Sequence, residues 1–436
     1  MKKNIFENFD FIILLSVLIL TATGIAFIYS SGVNSDGVLV THEYIKQIIW
    51  AGIGLFLLIF FTFYNYRKIE RFILWFYIGL IAVLVYTKLF GRYVNGARSW
   101  IGIWEFGIQP SEFGKVIFIL MLAHYLTESK NELPIKRLLI SIVIFALPAG
   151  LILIQPDLGT STVYIPIFFL MCFMAGIPYK YLLFLFGAGV STIFFTVLPV
   201  WNEFIAHNSV AVISVLTNHV LRLILIFSFA AIFMLSFIVR KYFHGPKYYF
   251  WISFVSAIIA IGISASTVTG KLLKDYQIRR LIVFMDPSVD PRGSGWNIIQ
   301  SKIAIGSGGF TGRSFLHGTQ SHYRFLPQQS TDFIFSILSE EFGFIGGILV
   351  FGLYMLIMFK NIYIIKNTSD RFGMFIASGI LGMLIMHFFI NTGMVMGIMP
   401  ITGIPLLFLS YGGSSLLTAM TCIGLLMSIN YRRREE

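Results

Sequence analysis

Stretches of about twenty apolar residues, the length a helix needs to cross a bilayer's hydrocarbon core, recur along nearly the whole chain of 436 residues. No other feature limits the possible folds as much. Lipid offers the backbone no hydrogen-bond partners, so segments that cross it are helices or strands of a closed barrel. The runs are unbroken, as in Phe11 to Tyr29, and do not alternate in polarity, which selects helices. Twelve spans are predicted, at 10–30, 47–65, 72–88, 112–127, 138–154, 158–176, 181–200, 221–239, 248–268, 332–359, 372–393 and 405–429. The expected fold is all-α: a polytopic transmembrane bundle forming one membrane domain over 1–436. With 57% hydrophobic and 12% charged residues, the chain lies far from soluble composition.

The net charge of +12 does not mark a nucleic-acid binder, because Lys and Arg sit in short clusters between apolar runs. Topology accounts for them better. With the N-terminus inside, 18 of the 32 cations fall in short inner segments, among them Arg67, Lys68, Arg71, Lys136, Arg137, Arg240, Lys241 and Arg432. Both termini are therefore expected in the cytoplasm. Met1-Lys-Lys before an apolar run resembles a signal peptide, but the run is long and lacks a small-residue cleavage site, so it reads as the first span. Cys172 and Cys422 lie inside apolar runs and suggest packing, not a disulfide or metal framework.

Two outer segments break the charge rule. One holds Lys88, Arg92 and Arg98; the other, 270–331, holds Lys271, Lys274, Arg279, Arg280, Arg292, Lys302, Arg313 and Arg324. A connection this long is usually functional or disordered. Its Phe284, Trp296, Ile298, Ile303 and Phe310 argue for order, so a polar loop packed on the membrane surface is expected.

This loop contains Asp286-Pro-Ser-Val-Asp290-Pro-Arg-Gly-Ser-Gly. Each proline disfavours helix at the preceding Asp, so the spacing of four does not place both carboxylates on one helical face. Asp-Pro is usually turn chemistry; amid Arg279, Arg280, Arg292 and Lys302, a carboxylate could also serve beside an anionic substrate. Gly306-Ser-Gly-Gly-Phe-Thr-Gly-Arg-Ser fits neither the Walker nor the dinucleotide pattern and is expected to be a glycine-rich turn. Glu112 and Lys115, three apart at the start of a span, share a helical face and either lock helices together or form a functional intramembrane pair. Asp157 and Asp332 are expected to cap helices, and Trp100 could be an interfacial aromatic. His124 and His387 read as core histidines without metal-ligand spacing.

Gly96-Ala-Arg-Ser-Trp, Gln109-Pro-Ser-Glu-Phe-Gly-Lys, Gln155-Pro-Asp-Leu-Gly-Thr, Asp290-Pro-Arg-Gly-Ser-Gly-Trp-Asn-Ile-Ile-Gln-Ser, Thr331-Asp-Phe-Ile-Phe and Ser410-Tyr-Gly-Gly-Ser-Ser together resemble the SEDS family of bacterial cell-wall proteins. The motifs stand in order over nearly the full chain. Gln300-Ser-Lys-Ile-Ala-Ile-Gly and His317-Gly-Thr-Gln-Ser are closer to its elongation branch than to its division branch. The resemblance implies a peptidoglycan glycosyltransferase of the bacterial inner membrane. It would polymerise lipid II during cell elongation and release undecaprenyl diphosphate. The implied partners are a class B penicillin-binding protein, a transpeptidase, and other membrane proteins of the elongation complex. It further implies that Asp290 is essential, with Arg98, Trp100, Glu112, Lys115, Asp157, Gln300, Ser301 and Lys302 as pocket candidates.

The chain departs from the family pattern at several places. The usual Pro-Glu and His-Thr-Asp-Phe are Pro327-Gln328 and Ser330-Thr-Asp-Phe here, and Trp296 replaces a common Tyr. Two helices over 201–269 look inserted into a ten-helix core; an even number leaves Asp290 outside. In the implied reaction a diphosphate leaves as a stable anion, so one base suffices where glycoside hydrolysis commonly needs two carboxylates. Asp290 would be that base, with Arg98, Lys302 and a divalent cation such as Mg²⁺ or Mn²⁺ stabilising the leaving group; the cation comes from the chemistry, not from ligand spacing. A lipid flippase or transporter would also suit the intramembrane Glu112, Lys115, Asp157 and His387, and a scaffold for the transpeptidase is a third reading.

Overall fold

The computed structural model describes residues 9–94, 96–103, 106–204, 211–272, 275–290 and 293–433. Lys2, Lys3, Lys274, Arg292 and Arg434 lie outside them, as do the side chains of Lys271 and Arg279.

The twelve predicted spans map onto α1 (Phe11–Gly32), α2 (Glu43–Phe63), α3 (Ile73–Phe90), α4 (Pro110–Glu128), α5 (Pro134–Ile154), α6 (Leu158–Met174), α7 (Tyr179–Phe204), α9 (His219–Tyr242), α10 (Tyr248–Leu272), α14 (Ile334–Asn367), α15 (Arg371–Val395) and α16 (Gly413–Arg432). Ten of these are long and apolar enough to cross a membrane; α6 is apolar but shorter, and α4 carries Glu112, Lys115 and Glu128. The chain is a multi-pass membrane protein. Local chemistry sets the helix ends: Asp10 accepts from the N–H groups of Ile12 and Ile13 to cap α1, and Asp370 caps α15 while accepting from Tyr66 Oη at 2.6 Å. Pro148 inside α5 cannot donate to the Ile144 carbonyl, and Tyr77 Oη does so instead at 2.7 Å.

The two segments expected on the outer face are built from regular elements. The first forms a three-stranded antiparallel sheet, β1 (Arg92–Val94), β2 (Ala97–Ile103) and β3 (Phe106–Ile108), in the order β1-β2-β3. Its register pairs Arg98 with Tyr93 and Trp100 with Arg92. The expected polar loop contains α11 (Asp275–Met285), a 3₁₀ turn at Pro287–Val289, α12 (Ser294–Gly308) and α13 (Thr319–His322); the short α8 (Ala211–Thr217) precedes α9.

The chain divides into two compact units. The first comprises Met1–Ile177 and Asn297–Glu436, the second Pro178–Trp296. In the first, α16 packs on α2, α4 and α15, and α15 on α4, α6 and α14, so α15 and α16 are its most buried helices. In the second, α10 packs against α7 and α9, and α11 against α7.

α14 breaks at Gly343, which has φ +60° and ψ −155°. The glycine-rich segment fits into this break: Arg313 N and Ser314 N donate to the carbonyls of Glu340 and Glu341, and Phe344 N donates to that of Gly309. A Cβ on Gly312 would lie 2.1 Å from Glu341 O, and one on Gly343 would lie 2.4 Å from Gly312 N. Two backbones in contact explain the glycines. The segment is a turn, and N–H groups a phosphate would need are spent on protein carbonyls.

Candidate active site

The N-terminal half of α4 anchors a buried polar network in the first unit. Pro110 starts the helix, which points Glu112 and Lys115 into the bundle, 4% and 0% exposed. Lys115 Nζ lies 2.9 and 2.8 Å from the two Glu112 oxygens and 3.0 Å from His387 Nε2. His387 Nδ1 is 2.8 Å from the Pro405 carbonyl, which can only accept, so Nδ1 donates and Nε2 accepts from Lys115. An ammonium has three donors, and all three are used. The pair therefore ties α4 to α15 and to the segment before α16, and His387, expected as an isolated core residue, is part of it.

One turn earlier, Gln109 N donates to Ser414 Oγ and Gln109 Nε2 donates to Asp157 Oδ2 at 2.6 Å. Asp157 caps α6 as expected, accepting from Thr160 N at 3.1 Å and Thr160 Oγ1 at 2.8 Å. Asp332 does not cap α14 as predicted: Asp332 N bonds back to Gln328 O, the N-cap falls at Phe333, and no side chain caps there.

The remaining candidates separate by exposure. Ser301 is fully buried, donating to Val395 O at 2.6 Å and lying 2.7 Å from Ser336 Oγ, so it joins α12 to α14 and α15. Gln300 is also buried. Lys302 is exposed and crosses the face of Gly397, where a Cβ would lie 2.7 Å from Nζ. Arg98 is exposed, with Nη1 3.5 Å from Leu89 O, and Trp100 lies half-buried over Gly107.

In the second unit the two loop carboxylates adopt different roles. Both residues have extended-side backbone angles, Asp286 at φ −142° and Asp290 at φ −129°, as their prolines require. Asp286 caps the 3₁₀ turn, accepting from Ser288 N at 2.9 Å and Ser288 Oγ at 2.6 Å. These bonds hold its carboxyl below the usual range, which weakens it as a base. Asp290 ends the same turn, half-buried, its carboxylate against Gly293; a Cβ on Gly293 would lie 2.3 Å from Oδ2 and would displace the carboxylate.

Sequence reasoning missed two clusters. Glu340 and Glu341, both fully buried, hold segment 314–322: Glu340 accepts from Thr319 Oγ1, Gln320 N and Ser321 N, and Glu341 accepts from Ser30 Oγ and Leu316 N. Adjacent acids inside an apolar run were the available signal. Glu70, His124 and Glu128 place their ligand atoms within 4.8 Å of one another, with His124 Nδ1 3.1 Å from Glu70. His124 and Glu128 are four apart on α4, so ligand-compatible spacing was present after all. Among the described residues this is the one such trio, and it does not include Asp290.

The family model described as cell cycle protein, FtsW/RodA/SpoVE, matches residues 10–206 and 201–435. The chain belongs to this family. It is 52% identical over 428 residues to the peptidoglycan glycosyltransferase RodA of Treponema pallidum, covering 98% of both chains. It is 32% identical over 389 residues to the peptidoglycan glycosyltransferase MrdB of Escherichia coli K12, covering 89% of this chain and 86% of that one. Its fold matches a chain from a peptidoglycan synthase complex of polymerization and crosslinking, with TM-score 0.68 at 24% identity over 98% of this chain and 99% of the other. It also matches RodA of Thermus thermophilus, with TM-score 0.60 at 20% identity over 99% of each.

Proposed function

We propose that this chain is a peptidoglycan glycosyltransferase of the bacterial inner membrane that polymerises lipid II and releases undecaprenyl diphosphate. The observation that carries the reading is 52% identity, along 98% of both chains, to a relative named for that activity. Asp290 removes the proton from the acceptor sugar's 4-hydroxyl. The hydroxyl oxygen then attacks the donor's anomeric carbon, the bond to the diphosphate breaks, and the electron pair leaves with the diphosphate. Arg98 and Lys302, both exposed cations, offset its charge. The distribution of Lys and Arg supports cytoplasmic termini and an extracytoplasmic Asp290. The partner is a class B penicillin-binding protein that crosslinks the strands.

The test is to supply lipid II to the purified protein and its partner in detergent, where no leaflets exist. Glycan strands resolved on a gel are expected. Intact lipid II after prolonged incubation with a folded complex would overturn the reading, and lipid movement in vesicles without new glycosidic bonds would establish a flippase.

A further inference from the structure

A polar cavity of about 290 Å³ lies in the first unit between the α1–α2 connection and the segment leading into α14. Ser31, Thr41 and Glu43 line one side; Arg324, Gln328 and Gln329 line the other. Three observations mark it as built for a ligand.

First, the cavity presents one acid and one base that are not paired with each other. Among the described residues no ion pair or side-chain hydrogen bond engages the Glu43 carboxylate or the Arg324 guanidinium. Opposite charges lining one cavity without neutralising each other present two recognition points. Second, Gln329 is 8% exposed and donates through Nε2 to Ser321 O, while its Oε1 has no donor among the described residues. A buried acceptor without a donor is costly. Third, Arg324 and Gln328 hold left-handed backbone angles, φ +56° and +52°. Strain of this kind persists where surrounding structure imposes it, and it concentrates at binding sites.

From this geometry we infer that the cavity binds the peptide stem of the cell-wall precursor. Arg324 takes a free carboxylate and Glu43 takes an ammonium, while Gln329 forms part of the wall. The identification of the peptide rests on the function proposed above. Lipid II carries a short peptide with a free terminal carboxylate and, on a dibasic residue, an amine, which matches the two charges in sign. The volume lies at the lower end of small-ligand sites, suited to the end of a peptide. Recognition here would select precursors with a complete, unmodified stem.

Binding needs no turnover, so it is measured on the purified full chain with lipid II and with lipid II amidated at the terminal carboxylate. Unaltered protein should prefer the free carboxylate about tenfold, the scale of one charge-assisted contact. Arg324→Asn suits the left-handed backbone and removes the charge; with it the preference should fall to near one. Glu43→Gln should likewise abolish a preference for the free amine over its acetylated form while keeping the carboxylate preference. Thermal midpoints report whether the variants fold. Equal binding of free and amidated lipid II by unaltered protein overturns the assignment, as does a preference that survives Arg324→Asn. Polymerisation, measured separately, reports on the glycosyltransferase reading and can fail while the binding preferences stand.

Discussion

The network around Lys115 and the turn around Asp290 both concentrate polar groups, but they use them differently. In the first unit Lys115 spends three donors on three acceptors, and Asp157 serves a helix cap and Gln109 at once. These groups are buried between helices, where an unsatisfied charge would be expensive. In the second unit the carboxylates stand in a half-exposed turn, where Asp286 accepts from Ser288 N and Ser288 Oγ. The contrast separates groups buried between helices from carboxylates in an accessible turn. An intramembrane charge is therefore not by itself a catalytic one.

The largest expected effect tests the structural half of that contrast. Lys115→Met leaves Glu112 buried without its cation and should cost about 3–5 kcal/mol, read as a lower thermal midpoint in detergent. Adding Glu112→Gln should restore part of the loss, because the uncompensated charge is then gone. No recovery would indicate that the pair acts by more than mutual neutralisation.

A smaller effect is expected where the glycine-rich segment meets α14. Gly343→Ala forces a side chain into a left-handed backbone against Gly312 N, and the strain alone should cost about 1–3 kcal/mol. Hydrogen exchange should rise at Arg313, Ser314 and Phe344, whose N–H groups bond across this contact. Unchanged protection would mean the two backbones do not depend on each other.

The smallest effect concerns Asp286. Its folded pKa lies below the unfolded value of about 3.9, so the turn gains support that is fully present above that pH and is lost as pH falls through the folded pKa. Ser288→Ala should return the carboxyl toward its ordinary range in an NMR titration, with no loss of stability at pH 7 beyond that of the broken cap. A titration unmoved by the substitution would exclude Ser288 as the cause.

Much of this arrangement was legible in the sequence because its determinants are local. Apolar length gave all twelve helices, the prolines after Asp286 and Asp290 gave their extended backbone, and Asp157 before a span gave a cap. Contacts distant in the chain were not legible: His387 reaches Lys115 across 272 residues, and Glu341 reaches Ser30 across 311. The small sheet had a local signal that went unread, since Asn95-Gly96 is a hairpin dipeptide and Gly96 has φ +89°. The kink at Gly343 needed its partner glycines at 308–312, which only the fold brings alongside.

The central claim is that Asp290, and not the neighbouring Asp286, performs the chemistry. Asp290→Asn and Asp286→Asn should be compared in one polymerisation assay with lipid II and the partner, each variant first matched to unaltered protein in thermal midpoint. The account predicts a loss of about 10²–10⁴-fold for Asp290→Asn, the scale of a general base, and near-normal rates for Asp286→Asn. Full activity in Asp290→Asn, or an equal loss in both variants, would contradict it.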